Sequence, residues 1–280
     1  YELSIESDNL TGPFSWTTAF NISFNRNKVL ELGGEDYKEM AEGDGHIKTG
    51  SVRRLIAGEP IGVFYGYRFD GIFQNEEECK QQTSSASPIG VGLRRYKDLN
   101  GDGKVDAAND REILGDANPK FFGGLTNTFA YKGFELNVFL QYSYGNKILN
   151  YNAMELENPT GGQNAYADMV NRWTPENPSN IYPKATTNRA LLVSDRFIED
   201  GSYLKLKTLS LSYSFPKINM KHIQGLRLYV TGQNLLTWTK YRGYDPEVSY
   251  RGASTLEAGE DFGGYPQSRT FMFGVKLDIK

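Results

Sequence analysis

The feature that most constrains this chain is a strict alternation over twelve residues, Phe14-Ser-Trp16-Thr-Thr18-Ala-Phe20-Asn-Ile22-Ser-Phe24-Asn. Every even position except Thr18 is apolar, while the odd positions hold Ser15, Thr17, Ala19, Asn21, Ser23 and Asn25. A period of two sends successive side chains to opposite sides of an extended backbone, so this stretch is a β-strand with one apolar face. The pattern recurs at Ile61, Val63, Tyr65, Tyr67 and Phe69, and again at Phe134, Leu136, Val138, Leu140, Tyr142 and Tyr144. Leu209, Leu211, Tyr213 and Phe215 form another stripe, and Phe271, Phe273, Val275, Leu277 and Ile279 a last one. Weaker alternation at 1–7, 121–131 and 225–236 brings the expected number of strands to eight.

The second face decides the environment. A soluble sandwich turns a polar, charge-bearing face to water; here that face is mostly Ser, Thr, Asn, Gln and Gly. Long alternating strands with an aromatic-rich apolar face and a mild polar one suit a transmembrane β-barrel, lipid outside and a wet lumen inside. A soluble sandwich or β-helix is the competing reading. The 13% aromatic content, 30 glycines and mean hydropathy of −0.54 fit an all-β chain with many turns. No apolar run approaches the roughly 18 residues of a membrane helix. With 31 Lys and Arg against 34 Asp and Glu, the net charge of −3 argues against a nucleic-acid partner. Two histidines, His46 and His222, leave little for a zinc site or a His-based triad, and the single Cys79 allows no internal disulfide. No two carboxylates are marked as an acid/base pair, so the expectation is a non-enzyme. The opening residues YELSIES have neither a basic nor an apolar leader region, which suggests a mature product, an internal piece or a cytosolic chain.

Connection lengths test the barrel independently. Links at 75–120, 147–202 and 237–268 are long, while 132–133 and 216–224 are short. Bacterial barrels alternate long extracellular loops with short periplasmic turns. The link 29–60 breaks this rule, being long where a turn is expected. Eight strands could close only the smallest barrel, whose lumen side chains fill; the other possibility is an arc of a larger one.

Within 75–120 lies Asp98-Leu-Asn100-Gly-Asp102-Gly103-Lys104-Val-Asp106-Ala-Ala-Asn109-Asp110. Oxygen donors at positions 1, 3 and 5, a Gly at 6 and a carboxylate at 9 match the start of an EF-hand calcium loop. Asp98, Asn100, Asp102 and Asp106 are the expected ligands, with Lys104 contributing its backbone carbonyl. Asn109 stands where a bidentate Glu is usual, so Asp110 is the expected closing ligand. The alternative is an Asn/Asp/Gly turn without an ion. Tyr151, Tyr166 and Trp173 share the 147–202 loop, where they pack the loop or stack against a ligand, and 164–173 reads as a brief helix. The sequon at Asn21 lies in a strand, Gly90-Val-Gly92 lacks a dinucleotide-site context, and Glu76–Glu78 reads as solvated surface.

The stretches GVFYGYRFDGIFQ (62–74), DLNGDGKVDAANDREILGDANPKFFGGLTNTFAYKGFELNVFLQYSYGNKI (98–148), SDRFIEDGSYLKLKTLSLSYSFP (194–216) and LRLYVTGQNLLTWTKYRGYDPE (226–247) together resemble the C-terminal barrel region of the SusC/RagA-type TonB-linked outer-membrane transporters. The resemblance spans nearly all of 1–280. It implies an antiparallel transmembrane barrel of the 22-stranded type, of which this chain supplies about the last eight strands, without the plug domain. It further implies a multi-pass outer-membrane location amid lipid, a SusD-like lipoprotein lid, energisation by the TonB complex through an N-terminal region, and import of an oligosaccharide or peptide. A self-contained small barrel acting as an adhesin or surface-binding protein is the rival expectation.

Overall fold

The computed structural model describes residues 1–40, 50–158, 164–187, 191–216, 222–247, 249–250, 252, 254 and 256–279; His46 lies outside the described residues. Seven long strands form one antiparallel sheet, each paired with its neighbours in chain order. They are β1 (Glu2–Leu10), β2 (Phe14–Ser23), β3 (Phe121–Tyr131), β4 (Phe134–Tyr144), β5 (Tyr203–Ser214), β6 (Ile223–Thr239) and β7 (Thr270–Ile279).

Register carries the alternation across the whole sheet. The row Leu10, Trp16, Phe129, Leu136, Leu211, Val230 and Phe273 runs strand to strand on one face. The row Thr17, Thr128, Asn137, Ser210 and Thr231 does the same on the other. Slipping one strand by one residue would exchange its two faces, so the pattern itself fixes the pairing. The apolar face stays exposed, as at Phe134, Leu211, Leu228 and Val275. The only buried side chains beyond glycine in these described strands are Lys205, Ser212 and Thr231.

The height of the exposed band matches a bilayer. Phe24, Phe121 and Tyr144 cluster at one end, with centroids 5.9 Å and 5.0 Å apart for the successive pairs, and Phe134 meets Tyr213 at 4.5 Å at the other. Ten steps from Phe121 to Tyr131 at about 3.3 Å each give about 33 Å along the strand. A barrel tilt of about 40° reduces that to about 25 Å, the height of an outer-membrane apolar band between its aromatic girdles. Thr18, the polar exception in the first stripe, is not left unpaired on that face. It donates to Asn127 Oδ1 at 2.7 Å and accepts from Asn9 Nδ2 at 2.7 Å, while Trp16 Nε1 donates to the same Asn127 oxygen at 2.9 Å. Such mutual satisfaction is what a polar group facing hydrocarbon requires.

The expected strand at 61–69 is not part of this sheet. Val63–Tyr67 pairs instead with Arg111–Asp116. The reason is that β2 and β3 pair directly from Phe14↔Tyr131 to Ser23↔Phe122 and leave no place between them. One long connection, 24–120, therefore replaces the two links expected at 29–60 and 75–120. Alternation is then unbroken: 11–13, 132–133 and 215–222 are short, while 24–120, 145–202 and 240–269 are long. The tightest turn places Lys132 and Gly133 at φ 46° and 87°. Both central residues being left-handed is the geometry whose twist matches a two-residue hairpin.

Candidate functional site: a loop body held on the polar face

The three long connections fold together at one end of the sheet into a body with its own core. Val52, Phe64 and Ala117 from the first connection, Leu149, Tyr151, Ala153, Met154, Leu191, Val193 and Phe197 from the second, and Ala258 and Phe262 from the third make one cluster. Buried charges cross the same seams. Arg53 and Glu260 are each 2% exposed and pair at 2.9 Å, joining the first connection to the third. Arg53 also donates to the carbonyls of Gly62 and Ala258 and lies 4.2 Å from the Phe64 ring centre. Burial presses the Arg53 pKa down, against the raising influence of Glu260. Glu157 of the second connection takes Arg196 on one oxygen at 2.5 Å and Arg242 of the third on the other at 2.7 Å.

A second group ties this body to the inner face of the sheet. Lys205 Nζ donates to Asp245 Oδ1 at 2.6 Å and Glu247 Oε2 at 2.5 Å, and Lys207 Nζ reaches the same Glu247 oxygen at 2.9 Å. Tyr203 and Gln141 donate to the other oxygen. A bulge at Lys207 makes this possible. Leu206 and Thr208 pair with Leu140 and Phe139 in turn, which leaves Lys207 as an extra residue. The extra residue shifts the phase, so Lys205, Lys207 and Thr208 all face inward while Leu206 and Leu209 stay outward. Burial alone would raise the carboxyls of Asp245 and Glu247; the lysine hydrogen bonds outweigh it and hold both below their usual range. Tyr241 and Asp261 fasten the two arms of the third connection at 2.5 Å, burial and that carboxylate pushing the phenol pKa up. The Asp245 carboxylate also accepts from the Gln267 amide at 3.1 Å. Between these anchors Tyr244 and Tyr265 are displayed almost fully exposed.

The 98–110 loop sits within the first connection. Asp98 accepts from the amides of Gly101 and Gly103 at 2.7 and 2.6 Å, and buried Asp110 from those of Leu99 and Asp106, both at 2.7 Å. Asp102 accepts from the Lys104 amide and the Asn100 side chain. Asp106 accepts from Ala108 and Asn109, and the Lys104 ammonium sits 3.1 Å from its other oxygen. Those contacts, Lys104 foremost, lower the Asp106 pKa. Among the described residues no three His, Cys, Asp or Glu side chains are grouped as a metal site. As arranged, the oxygens are spent on the loop's own amides, and a cation would have to displace Lys104 from Asp106.

The aromatics of the second connection are packed. Tyr151 is fully buried and Tyr166 lies against the shared core. Trp173 donates to Gln74 at 3.0 Å and covers Gly92, where a Cβ would meet its ring at 2.6 Å. The expected helix at 164–173 is a short 3-10 turn, Ala167–Asn171. Asn21 of the sequon accepts from the Gly124 amide inside the sheet.

Comparison with known proteins follows the sheet and the loop body alike. TonB-dependent receptors P3 and P26 of Formosa agariphila are 40% and 33% identical to this chain, each alignment covering 99% of it. Over nearly its whole length the chain is similar to one stretch of these TonB-dependent receptors. TonB-dependent receptor SusC of Bacteroides thetaiotaomicron is 26% identical over 96% of the chain. The chain spans 28% of the length of P3 and P26, and 25% of SusC. The solved RagAB peptide transporter superposes on 99% of it with a TM-score of 0.76 at 22% identity, covering 28% of that structure's chain. The fold is accordingly that of a β-barrel wall with its loops. No family model matches the chain. Its relatives are receptors and transporters rather than enzymes.

The sequence reading missed the residues that hold the loop body. Arg53 and Glu260 lie 207 positions apart, with no local signal at either. Lys205 and Lys207 did carry one: two lysines in LKLKTL, inside a strand otherwise poor in charge, with a phase change between Leu206 and Leu209.

Proposed function

We propose that this chain is the C-terminal barrel portion of an outer-membrane active transporter that imports oligosaccharides or peptides. Import is energised through TonB and works beneath a SusD-like surface lipoprotein. The observation that carries this reading is the fastening of the 240–269 connection to the polar face of the sheet by Lys205, Asp245 and Glu247. A loop held there occupies the lumen side of the wall, where a cargo entering from the long-loop end must pass. The names of the relatives support the same reading, since RagAB is a peptide transporter and SusC a TonB-dependent receptor.

The test is uptake in the native cell. Deleting the gene is expected to abolish accumulation of at least one labelled oligosaccharide or peptide, and so is uncoupling the inner-membrane proton gradient. Unchanged accumulation across a panel of both would sink the reading. Deleting the gene of a neighbouring lid lipoprotein should reduce uptake of the same cargo. An immunoblot against the 75–120 segment addresses the adhesin barrel: a band near 31.5 kDa in outer membranes would favour it over import.

Calcium at Asp98, Asn100, Asp102, Asp106 and Asp110, with the Lys104 carbonyl, is a separate proposal resting on donor spacing. It requires Lys104 to leave Asp106. Hydrogen exchange over 98–110 should slow when calcium replaces a chelator, and equal exchange in both would end it.

A further inference from the structure

Arg94 opens the short strand Arg94–Tyr96 and is only 8% exposed. Its Nη2 donates to the Glu157 carbonyl at 3.0 Å, its Nη1 reaches Asn158 Oδ1 at 3.5 Å, and its Nε has no partner. Among the described residues no carboxylate pairs with it. Glu157, whose charge acts on Arg94 without pairing with it, spends both oxygens on Arg196 and Arg242. Burial, with the like charge of Arg196, pushes the Arg94 pKa down against the opposite influence of Tyr96 and Glu157. A buried guanidinium with an unspent donor and no carboxylate in contact is costly, because desolvation is only partly repaid.

The same arginine lines a cavity of about 30 Å³ with Ser87, Tyr96, Asn158, Pro183 and Thr186. The cavity also touches Pro88, which is exposed, so it meets the surface there. One water needs about 10–15 Å³ of such space. The cavity therefore takes two or three heavy atoms and excludes a whole sugar ring. Its size suits a carboxylate, and the arginine supplies the charge that a carboxylate lacks a partner for elsewhere.

We propose that this cavity is an anion site that receives one carboxylate group, with Arg94 as its counter-ion and Ser87 and Asn158 as neutral polar lining. A uronate sugar or the C-terminus of a peptide could present such a group at the Pro88 mouth. The competing account is purely structural: Arg94 holds the carbonyl that ends the helix Tyr151–Leu156 and binds nothing else.

The experiment is calorimetry on the full-length transporter in detergent at pH 7, titrated with sodium acetate, sodium glucuronate and glycylglycine, with glucose as the neutral control. Acetate is expected to bind and glucose to give no heat. A further gain for glucuronate or for glycylglycine identifies the carrier. Arg94→Gln should weaken acetate at least tenfold, while Arg94→Lys should retain part of the affinity. If Arg94→Gln does not fold, the wild-type thermal midpoint should rise saturably in acetate relative to chloride at equal ionic strength. Acetate indistinguishable from chloride and glucose, or Arg94→Gln binding acetate as the wild type does, would overturn the site. No transport is read, so the outcome stands apart from the import proposal.

Discussion

The sheet and the loop body obey opposite rules. In the described sheet strands the apolar side chains face out and the buried side chains beyond glycine are Lys205, Ser212 and Thr231. In the loop body Phe64, Leu149, Tyr151, Met154 and Phe197 are fully buried. The difference teaches that the two regions are stabilised in different ways. The loop body gains by removing apolar surface from water, whereas the sheet leaves its apolar side chains outside and is held by backbone pairing from strand to strand.

The comparison breaks first at the buried ion pair. Glu260→Gln leaves the Arg53 charge without its carboxylate and should cost about 3–5 kcal/mol of loop-body stability. Urea-dependent hydrogen exchange of 52–67 and 258–262 in the full-length protein measures it. Loss of protection in the sheet to the same extent would show that the two regions unfold as one. Phe197→Ala should follow, at about 3–5 kcal/mol for a fully buried aromatic at the junction of all three connections, read by protease cleavage of the loops while heat-modifiable migration persists. Val138→Arg tests the other rule. At mid-height on the outward face it should cost about 2–4 kcal/mol in bilayers, seen as a lower folded yield, with loop protection unaffected.

The latch between the two regions gives a smaller, pH-dependent effect. Asp245 and Glu247 have lowered pKa values in the folded protein. Their stabilisation is therefore present above their unfolded values and is lost as pH falls through the lower folded ones. Exchange protection of 241–247 should hold from neutral pH to about 4.5 and fall below that, each charged hydrogen bond contributing about 1.5–3 kcal/mol. In Lys205→Met the acid-dependent loss should largely vanish because protection is already gone at neutral pH. Smallest is Phe134→Leu, which removes the 4.5 Å contact with Tyr213. It should cost about 0.5–1.5 kcal/mol beyond lost area, measured as a modest drop in bilayer folding stability.

Much of the sheet was legible because one face is apolar and the other polar, which writes a period of two directly into the chain. Phe14 to Phe24, 134–144 and 271–279 read out with that period. Thr18 stood out as an exception, and the structure pairs it with Asn127. The stretch 61–69 misled for an equally physical reason. Val63, Tyr65 and Tyr67 alternate like a barrel strand, yet Phe64 and Gly66 between them are buried. A strand covered on both sides carries no polar face, and the unbroken run GVFYGY was the available warning. Charge partners such as Arg53 with Glu260, or Arg196 with Glu157, depend on how three distant connections meet. Nothing local to any of those residues announces the meeting.

Glu157 joins the second connection to the third, Arg53 joins the first to the third, and the shared core draws on all three. Diversification of a chain built this way therefore faces a constraint that free-standing loops escape. An insertion or exchange in one connection alters the mould in which the other two are cast. Grafting a single connection from a relative onto this wall should produce a barrel with a disordered crown, while moving the three together should carry the donor's selectivity with them.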